Sequence, residues 1–245
     1  MTRAEGATAV LLDIEGTTTP LSFVHEVLFP FARAHVKGFF EAHGGSSEAG
    51  EIADALYKEH RTDLAQKLNP PRWDTIDDLD AAAAYVRWLI SRDRKSTPLK
   101  MLQGMIWRSG YQSGKLKGEL FDDVPEALER WHRRGHRVAI FSSGSVLAQK
   151  LLFANSTAGD LTPFISAYFD TTLGPKRDFA SYRRIAVAIG APAPSTVFVS
   201  DVTGELAAAR AAGVEAVLSI RPGNHPQDDA DQYPQIRSLL EISWL

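Results

Sequence analysis

Short apolar runs that each stop at a polar residue restrict the fold of this chain more than any other feature. Ala9-Val-Leu-Leu leads into Asp13-Ile-Glu15 and then Gly16-Thr-Thr-Thr-Pro20, a turn-forming stretch. Val138-Ala-Ile-Phe141 ends in Ser142-Ser-Gly-Ser145, and Val197-Phe-Val-Ser200 ends at Asp201. Val214-Glu-Ala-Val-Leu-Ser-Ile220 is a fourth candidate strand. Runs this short and this apolar, bounded by turn residues, read as strands buried on both faces. Helical patterns separate them. Asp123 can cap a helix that has Pro125 in its first turn and Gly135 as its stop. Helical spacing recurs over 145–154, 179–189 and 205–212, with Gly190 and Gly213 closing the last two. Strand–helix alternation of this kind predicts an α/β fold built on a doubly wound parallel sheet.

Residues 21–114 interrupt the alternation. They show no strand pattern, and their spacing predicts helices at about 23–43, 48–68, 79–94 and 98–108, with Pro70-Pro71 between the second and third. The expected organisation is a core domain of residues 1–20 and 115–245 with an inserted helical cap of residues 21–114. An insertion at that point would sit over the carboxyl ends of the strands, where α/β proteins bind ligands. The last ten residues, 236–245, are expected to be a helix end packed on the core.

Composition narrows the chemistry. The chain has no cysteine, which excludes disulfides, thiolate zinc sites, iron–sulfur clusters and cysteine nucleophiles. A metal must then be held by oxygen or imidazole, and the seven histidines show no metal-ligand spacing. A net charge of −3 argues against a nucleic-acid partner. No apolar run reaches membrane-spanning length and no signal-peptide pattern opens the chain, so a soluble cytoplasmic protein is expected.

In a parallel sheet the strand ends project to one edge, which gathers Asp13, Glu15, Ser142, Ser143, Asp201 and Glu205, with Lys176 just before the helix near Asp178. This set suits phosphoryl transfer from a monoester. Asp13 and Asp201 can hold Mg²⁺, a hard cation that prefers oxygen. Asp13 can attack phosphorus to form an aspartyl-phosphate. Ser142 offers a hydroxyl, and the Ser143-Gly144 turn offers N–H groups at a helix N-terminus. Lys176 supplies a cation for the phosphoryl oxygens, and Glu15 can protonate the leaving oxygen and later take a proton from water. Each residue alone has an ordinary alternative. Asp13 could cap a turn, Ser142 and Ser143 a helix; Lys176 could be a solvated surface lysine, and Glu205 a first-turn acid with at most an outer role at the metal. Their joint occurrence at strand ends points to a site. Trp107 and Tyr111 suit a pocket wall and cap packing equally, His25 suits a capping or surface role, and the acidic run 74–80 reads as a solvated helix start.

Asp13-Ile-Glu-Gly-Thr-Thr18, Phe141-Ser-Ser-Gly-Ser145, Gly174-Pro-Lys-Arg177 and Val199-Ser-Asp-Val-Thr-Gly-Glu205 resemble the four motifs of the haloacid dehalogenase superfamily. Glu15 stands where most phosphatases of that group carry Asp. That residue, with Ser142-Ser-Gly-Ser-Val-Leu-Ala-Gln-Lys-Leu-Leu-Phe153, Pro20-Leu-Ser-Phe-Val24, Gly104-Met-Ile-Trp-Arg-Ser-Gly-Tyr111 and Phe169-Asp-Thr171, is similar to the enolase-phosphatases of methionine salvage, also called acireductone synthases. The resemblance runs nearly end to end. It implies a Rossmann-like core with a helical cap, a monomer, and 2,3-diketo-5-methylthiopentyl-1-phosphate as the small-molecule substrate, enolised and then dephosphorylated. It also implies Mg²⁺ on Asp13, Asp201 and the main-chain carbonyl of Glu15, and phosphate contacts from Ser142, Ser143 and Lys176. The proton lost on enolisation sits on the carbon bearing the ester oxygen, so Glu15 is the candidate for both proton transfers. A dehalogenase would need no acid at position 15. A general sugar-phosphate phosphatase is the nearest competitor. A non-catalytic binding module would be marked by loss of Asp13, Lys176 or Asp201, and all three are present.

Overall fold

The structure, a computed structural model, describes residues 6–242. Strand β1 (Ala9–Leu12) is followed by helices α1 (Phe29–His43), α2 (Ser47–Ala65), α3 (Leu79–Ser91) and α4 (Thr97–Gln112). The chain then alternates through α5 (Val124–Arg133), β2 (Arg137–Phe141), α6 (Val146–Ala154), β3 (Ala167–Phe169), α7 (Phe179–Ala188), β4 (Thr196–Ser200), α8 (Thr203–Ala211), β5 (Glu215–Ser219) and β6 (Gln235–Ile236).

Among the described residues the six strands form one parallel sheet in the order β3-β2-β1-β4-β5-β6. β1 is central, and the chain builds outward from it on both sides. Leu12 is level with Ile140 of β2 and Val199 of β4. That register brings the residues after Leu12, Phe141 and Ser200 out together where the strand order reverses, the crevice in which open α/β sheets bind ligands. The alternation of a strand supplies two apolar faces. Ala9, Leu11, Ala139, Phe141, Phe198, Ala216 and Leu218 pack with Tyr182 and Ile185 of α7 and with Leu206 and Ala209 of α8. The alternate residues Val10, Leu12, Val138, Ile140, Val197, Val199 and Val217 are equally buried. Each such side chain contributes about 1.5–3 kcal/mol by leaving water.

Two strands have no clear signature in the sequence, because β3 has three residues and β6 two, too few for a period to emerge. The helix expected over 236–245 does not form in the described part. Ile236 closes β6, and Leu239–Glu241 makes a single 3₁₀ turn capped by Ser238; the remainder lies outside the described residues. Asp123 stands at the N-cap of α5, but its side chain makes no capping bond. It accepts instead from Arg221 Nη2 at 2.9 Å, Ser238 Oγ at 3.0 Å and the Leu239 N–H, since a buried guanidinium needs a carboxylate more than a helix end needs a cap.

The chain divides into two units, one running up to Val24 and resuming at Lys117, the other His25–Leu116. The division differs by a few residues from the expected 21–114. Phe23 and Val24 are buried, and the Leu116 N–H donates to the Gly110 carbonyl at 3.0 Å, which keeps Leu116 with α4. The helical unit holds the four expected helices with local differences. A π-helical turn, Phe23–Leu28, precedes α1 because Pro30 in the first turn of α1 has no N–H to continue the regular ladder. Lys67 and Asn69 adopt left-handed backbone beyond the end of α2. Asp78 caps α3, accepting from the Ala81 N–H at 3.0 Å. Trp107 donates to the Leu28 carbonyl at 2.9 Å and packs, with Tyr111, inside this unit. Asp63, fully buried, accepts from Tyr85 Oη at 2.8 Å and Arg94 Nη2 at 2.7 Å. No helix of the described residues is long and apolar enough to cross a membrane.

Candidate active site

Asp13 continues the line of β1, its N–H donating to the Val199 carbonyl at 3.0 Å. The chain then knots. The N–H groups of Thr17, Thr18 and Thr19 converge on the Ile14 carbonyl at 3.1, 2.9 and 2.9 Å, and the Gly16 N–H donates to the Thr19 carbonyl at 2.9 Å. Thr18 Oγ1 adds bonds to the Asp13 and Ile14 carbonyls at 3.2 and 3.3 Å. Gly16 has φ +67°, a conformation that favours glycine, and a Cβ there would stand 2.6 Å from Asp201 Cγ. The stretch read as a turn is therefore a tightly bonded loop that sets the direction of Asp13. Glu15 is half-buried within it and bridges to Thr19.

Asp13 Oδ2 receives Lys176 Nζ at 2.7 Å, and Oδ1 accepts from the Ile14 N–H at 2.7 Å. The same ammonium lies 2.6 Å from Glu205 Oε2. Ser200 Oγ is 3.1 Å from both Asp13 Oδ2 and Glu205 Oε2, and its single proton can serve one of them at a time. Lys176 is fixed through its backbone: Tyr182 Oη donates to its carbonyl at 2.7 Å, and Ser181 Oγ holds the Pro175 carbonyl at 2.8 Å.

Two carboxylates therefore share one ammonium, and a third carboxyl, Asp201, lies within reach of their charges. Burial and the charge of Asp13 push the Asp201 carboxyl up to about 7, against the pull of Lys176. Burial and Asp13 likewise push Glu205 up to about 7. Burial pulls the Lys176 ammonium down, but Asp13 and Glu205 outweigh it and hold the group above the ordinary lysine value. Such a site carries surplus negative charge that a cation would relieve. Among the described residues no group of three or more His, Asp or Glu side chains is disposed to hold a metal. The set expected from the sequence has a different make-up, with two carboxylates and one main-chain carbonyl.

Ser142 and Ser143 stand at the end of β2, beside β1. Ser142 donates its N–H to the Phe169 carbonyl at 3.2 Å, and its Oγ accepts from the Gly144 N–H at 3.1 Å. Ser145 caps α6, accepting from Ala148 at 3.3 Å, and Asp170 Oδ2 takes the Val146 N–H at 3.1 Å. Gln149 Nε2 ties the Gly144 and Phe169 carbonyls together at 2.8 Å each. The structure thus joins Asp13, Lys176 and Glu205 in direct contact, sets Asp201 beside Gly16, and keeps the two serines at the same sheet edge in their own bonded loop. Sequence reasoning did not single out Ser200, Asp170 or Gln149. Ser200 had a signal, as the polar residue closing an apolar run one step before Asp201.

A parallel sheet whose central strand ends in a lysine-paired aspartate fits a haloacid dehalogenase-like hydrolase, and the family model of that description matches residues 7–213. An enolase-phosphatase E1 from Synechococcus elongatus is 52% identical over 235 residues, covering 96% of this chain and 97% of the relative. One from Drosophila persimilis is 46% identical, covering 93% and 90%. Among solved structures, the UTR4 protein of Saccharomyces cerevisiae is 35% identical with a TM-score of 0.76, covering 95% of this chain and 98% of that one. The chain belongs to the enolase-phosphatase E1 family.

Proposed function

We propose that the chain converts 2,3-diketo-5-methylthiopentyl-1-phosphate to acireductone and phosphate in methionine salvage, by enolisation followed by phosphoryl transfer to Asp13. The observation that carries the mechanism is Asp13 held by Lys176 at 2.7 Å, at the end of the central strand, in a chain of this family. Asp13 Oδ2 is paired with the ammonium, and the knot after β1 holds the carboxylate in a fixed direction for attack on phosphorus. As phosphate enters, Lys176 balances the charge of the transferring oxygens while Glu205 keeps the ammonium in place. The hydroxyls of Ser142 and Ser143 would bind the remaining phosphate oxygens.

The donor set fits Mg²⁺. Asp13, Asp201 and the Glu15 carbonyl are hard oxygen donors, and the Asp201 carboxyl, pushed up by burial and then by the charge of Asp13, is a group whose ionised form a cation would favour. Bound Mg²⁺ would neutralise the ester's charge and so let an anionic carboxylate approach it. Glu15 would take the proton from the carbon bearing the ester oxygen, protonate that oxygen as it leaves, and activate the water that releases phosphate. Enolisation first makes the leaving group an enol, which lowers the barrier to P–O cleavage. As such an enzyme the chain would act in the cytoplasm, as a monomer, on a small phosphate ester.

The test supplies the diketo phosphate with and without Mg²⁺, following enol absorbance and phosphate separately. Asp13→Asn should block phosphate release and leave the enol signal. Glu15→Gln should impair both. Phosphate release by Asp13→Asn at the wild-type rate would end this reading, and normal enolisation by Glu15→Gln would move the base elsewhere.

A further inference from the structure

Asn224, in the loop after β5, has its amide orientation set by two carbonyls. Nδ2 donates to the Gly16 carbonyl at 2.9 Å and to the Ser219 carbonyl at 3.1 Å. Both partners can only accept, so the nitrogen faces them and the oxygen faces away. Asn224 Oδ1 is buried and has no hydrogen-bond partner among the described residues. It looks across Gly16 toward Asp201: the Cβ position that Gly16 lacks is 2.8 Å from Asn224 Oδ1 and 2.6 Å from Asp201 Cγ, and nearer still to Asp201 Oδ2. A buried amide oxygen beside a carboxylate is an unfavourable neighbour unless a proton donor or a cation serves both. The loop is itself anchored to the knot after β1. Arg221 Nε donates to the Thr17 carbonyl at 3.2 Å, and the Asn224 N–H closes a turn on the Arg221 carbonyl at 3.1 Å.

We propose that Asn224 is a positioning residue of the divalent-cation site, its Nδ2 holding the Gly16 carbonyl and its Oδ1 accepting a hydrogen bond from a water on the cation beside Asp201. Mg²⁺ keeps several of its waters when bound by few carboxylates, and those waters are donors that outer groups orient. The amide does two jobs with its two ends. The nitrogen fixes the peptide that follows the Glu15 carbonyl, and the oxygen fixes the hydration of the ion. Gly16, having no side chain, leaves the two oxygens facing each other. This inference rests on the assignment of Asp13, the Glu15 carbonyl and Asp201 as the cation's ligands.

Mn²⁺ titration followed by the electron paramagnetic resonance of the free ion separates the two claims, because it needs no turnover. The wild type should bind Mn²⁺ and Asp201→Asn should not. Asn224→Ala should bind about tenfold more weakly. Asn224→Leu keeps nearly the same shape and removes both ends of the amide, so it should bind as weakly as Asn224→Ala, and it should melt lower without cation because it loses both bonds to carbonyls. In turnover, the Asn224→Ala deficit in kcat/KM should be present at low Mg²⁺ and recover at saturating Mg²⁺. Circular dichroism checks that each variant is folded; Asn224→Leu leaves no cavity and carries the test by itself if Asn224→Ala is not folded. Wild-type Mn²⁺ affinity in Asn224→Ala or in Asn224→Leu would overturn the role of Asn224 alone. Failure of the wild type to bind Mn²⁺, or unchanged binding by Asp201→Asn, would overturn the cation site itself, and the Asn224 inference with it.

Discussion

Replacing Gly16 with alanine tests whether the knot after β1 aims the carboxylates. Gly16 has φ +67°, where an L-residue costs about 1–2 kcal/mol. For a chain of this length that lowers Tm by roughly 2–8 °C. The added methyl also meets Asp201, 2.6 Å from Cγ where ordinary contact starts at 3.4 Å. The carboxyl group must therefore retreat by roughly 1 Å, a displacement that can cost about 10²-fold in rate when it moves groups around the reacting atoms. Gly135 is the control. It has φ +78° at the end of α5, and a Cβ there meets nothing within 4 Å. Gly135→Ala carries the same backbone cost with no carboxylate to displace. Both variants should melt lower, Gly16→Ala by the larger amount because of its added contacts, read by circular dichroism. Only Gly16→Ala should lose phosphate release, by about 10²-fold in kcat/KM at saturating Mg²⁺. Wild-type turnover by Gly16→Ala at a lowered Tm would refute the reasoning, and so would an equal loss of activity in Gly135→Ala.

Three further outcomes are expected. Lys176→Met should lower kcat/KM for phosphate release by about 10²–10³-fold, and Lys176→Arg should not restore it, because a planar guanidinium does not replace a point ammonium that sits 2.7 and 2.6 Å from two carboxylates. Glu205, pushed up to about 7 in the folded chain from an ordinary 4.5, favours the fold below pH 4.5 and loses that contribution as pH rises through 7. In chelator, the Tm of Glu205→Gln should therefore gain on the wild type between about pH 4.5 and 7, and a constant difference would contradict the assignment. Asp123→Ala leaves Arg221 buried without its carboxylate and should cost about 3–5 kcal/mol in urea unfolding, much of it recovered by adding Arg221→Met.

Most of the frame could be read from residue patterns, and the reasons are physical. β1, β2, β4 and β5 are buried on both faces, so each announces itself as an apolar run. β3 and β6 are held by their neighbours rather than by their own composition, and no window that short carries a period. Asp13 and Asp201 were visible because a carboxylate at the end of an apolar strand is conspicuous. Ser200 and Asn224 were not, since a serine in a strand and an asparagine in a Pro-Gly-Asn loop have ordinary explanations, and their contacts join residues 187 and 208 positions apart. Asp123 shows the limit of local reasoning. Its position predicts a helix cap, but Arg221, distant in sequence and close in space, takes the side chain.

The central place of β1 has a consequence for the order of events during synthesis. β1 pairs only with segments made much later, Ala9 with Arg137 and with Thr196. Lengthening such a loop adds little to the equilibrium cost, about 0.6 kcal/mol per doubling, but distant pairing slows the search. The helices α1 to α4 contact one another and can settle while β1 waits. Until β2 and β4 arrive, Ala9–Leu12 is an unsheltered sticky segment of the nascent chain, which marks it as a place where a chaperone would be needed.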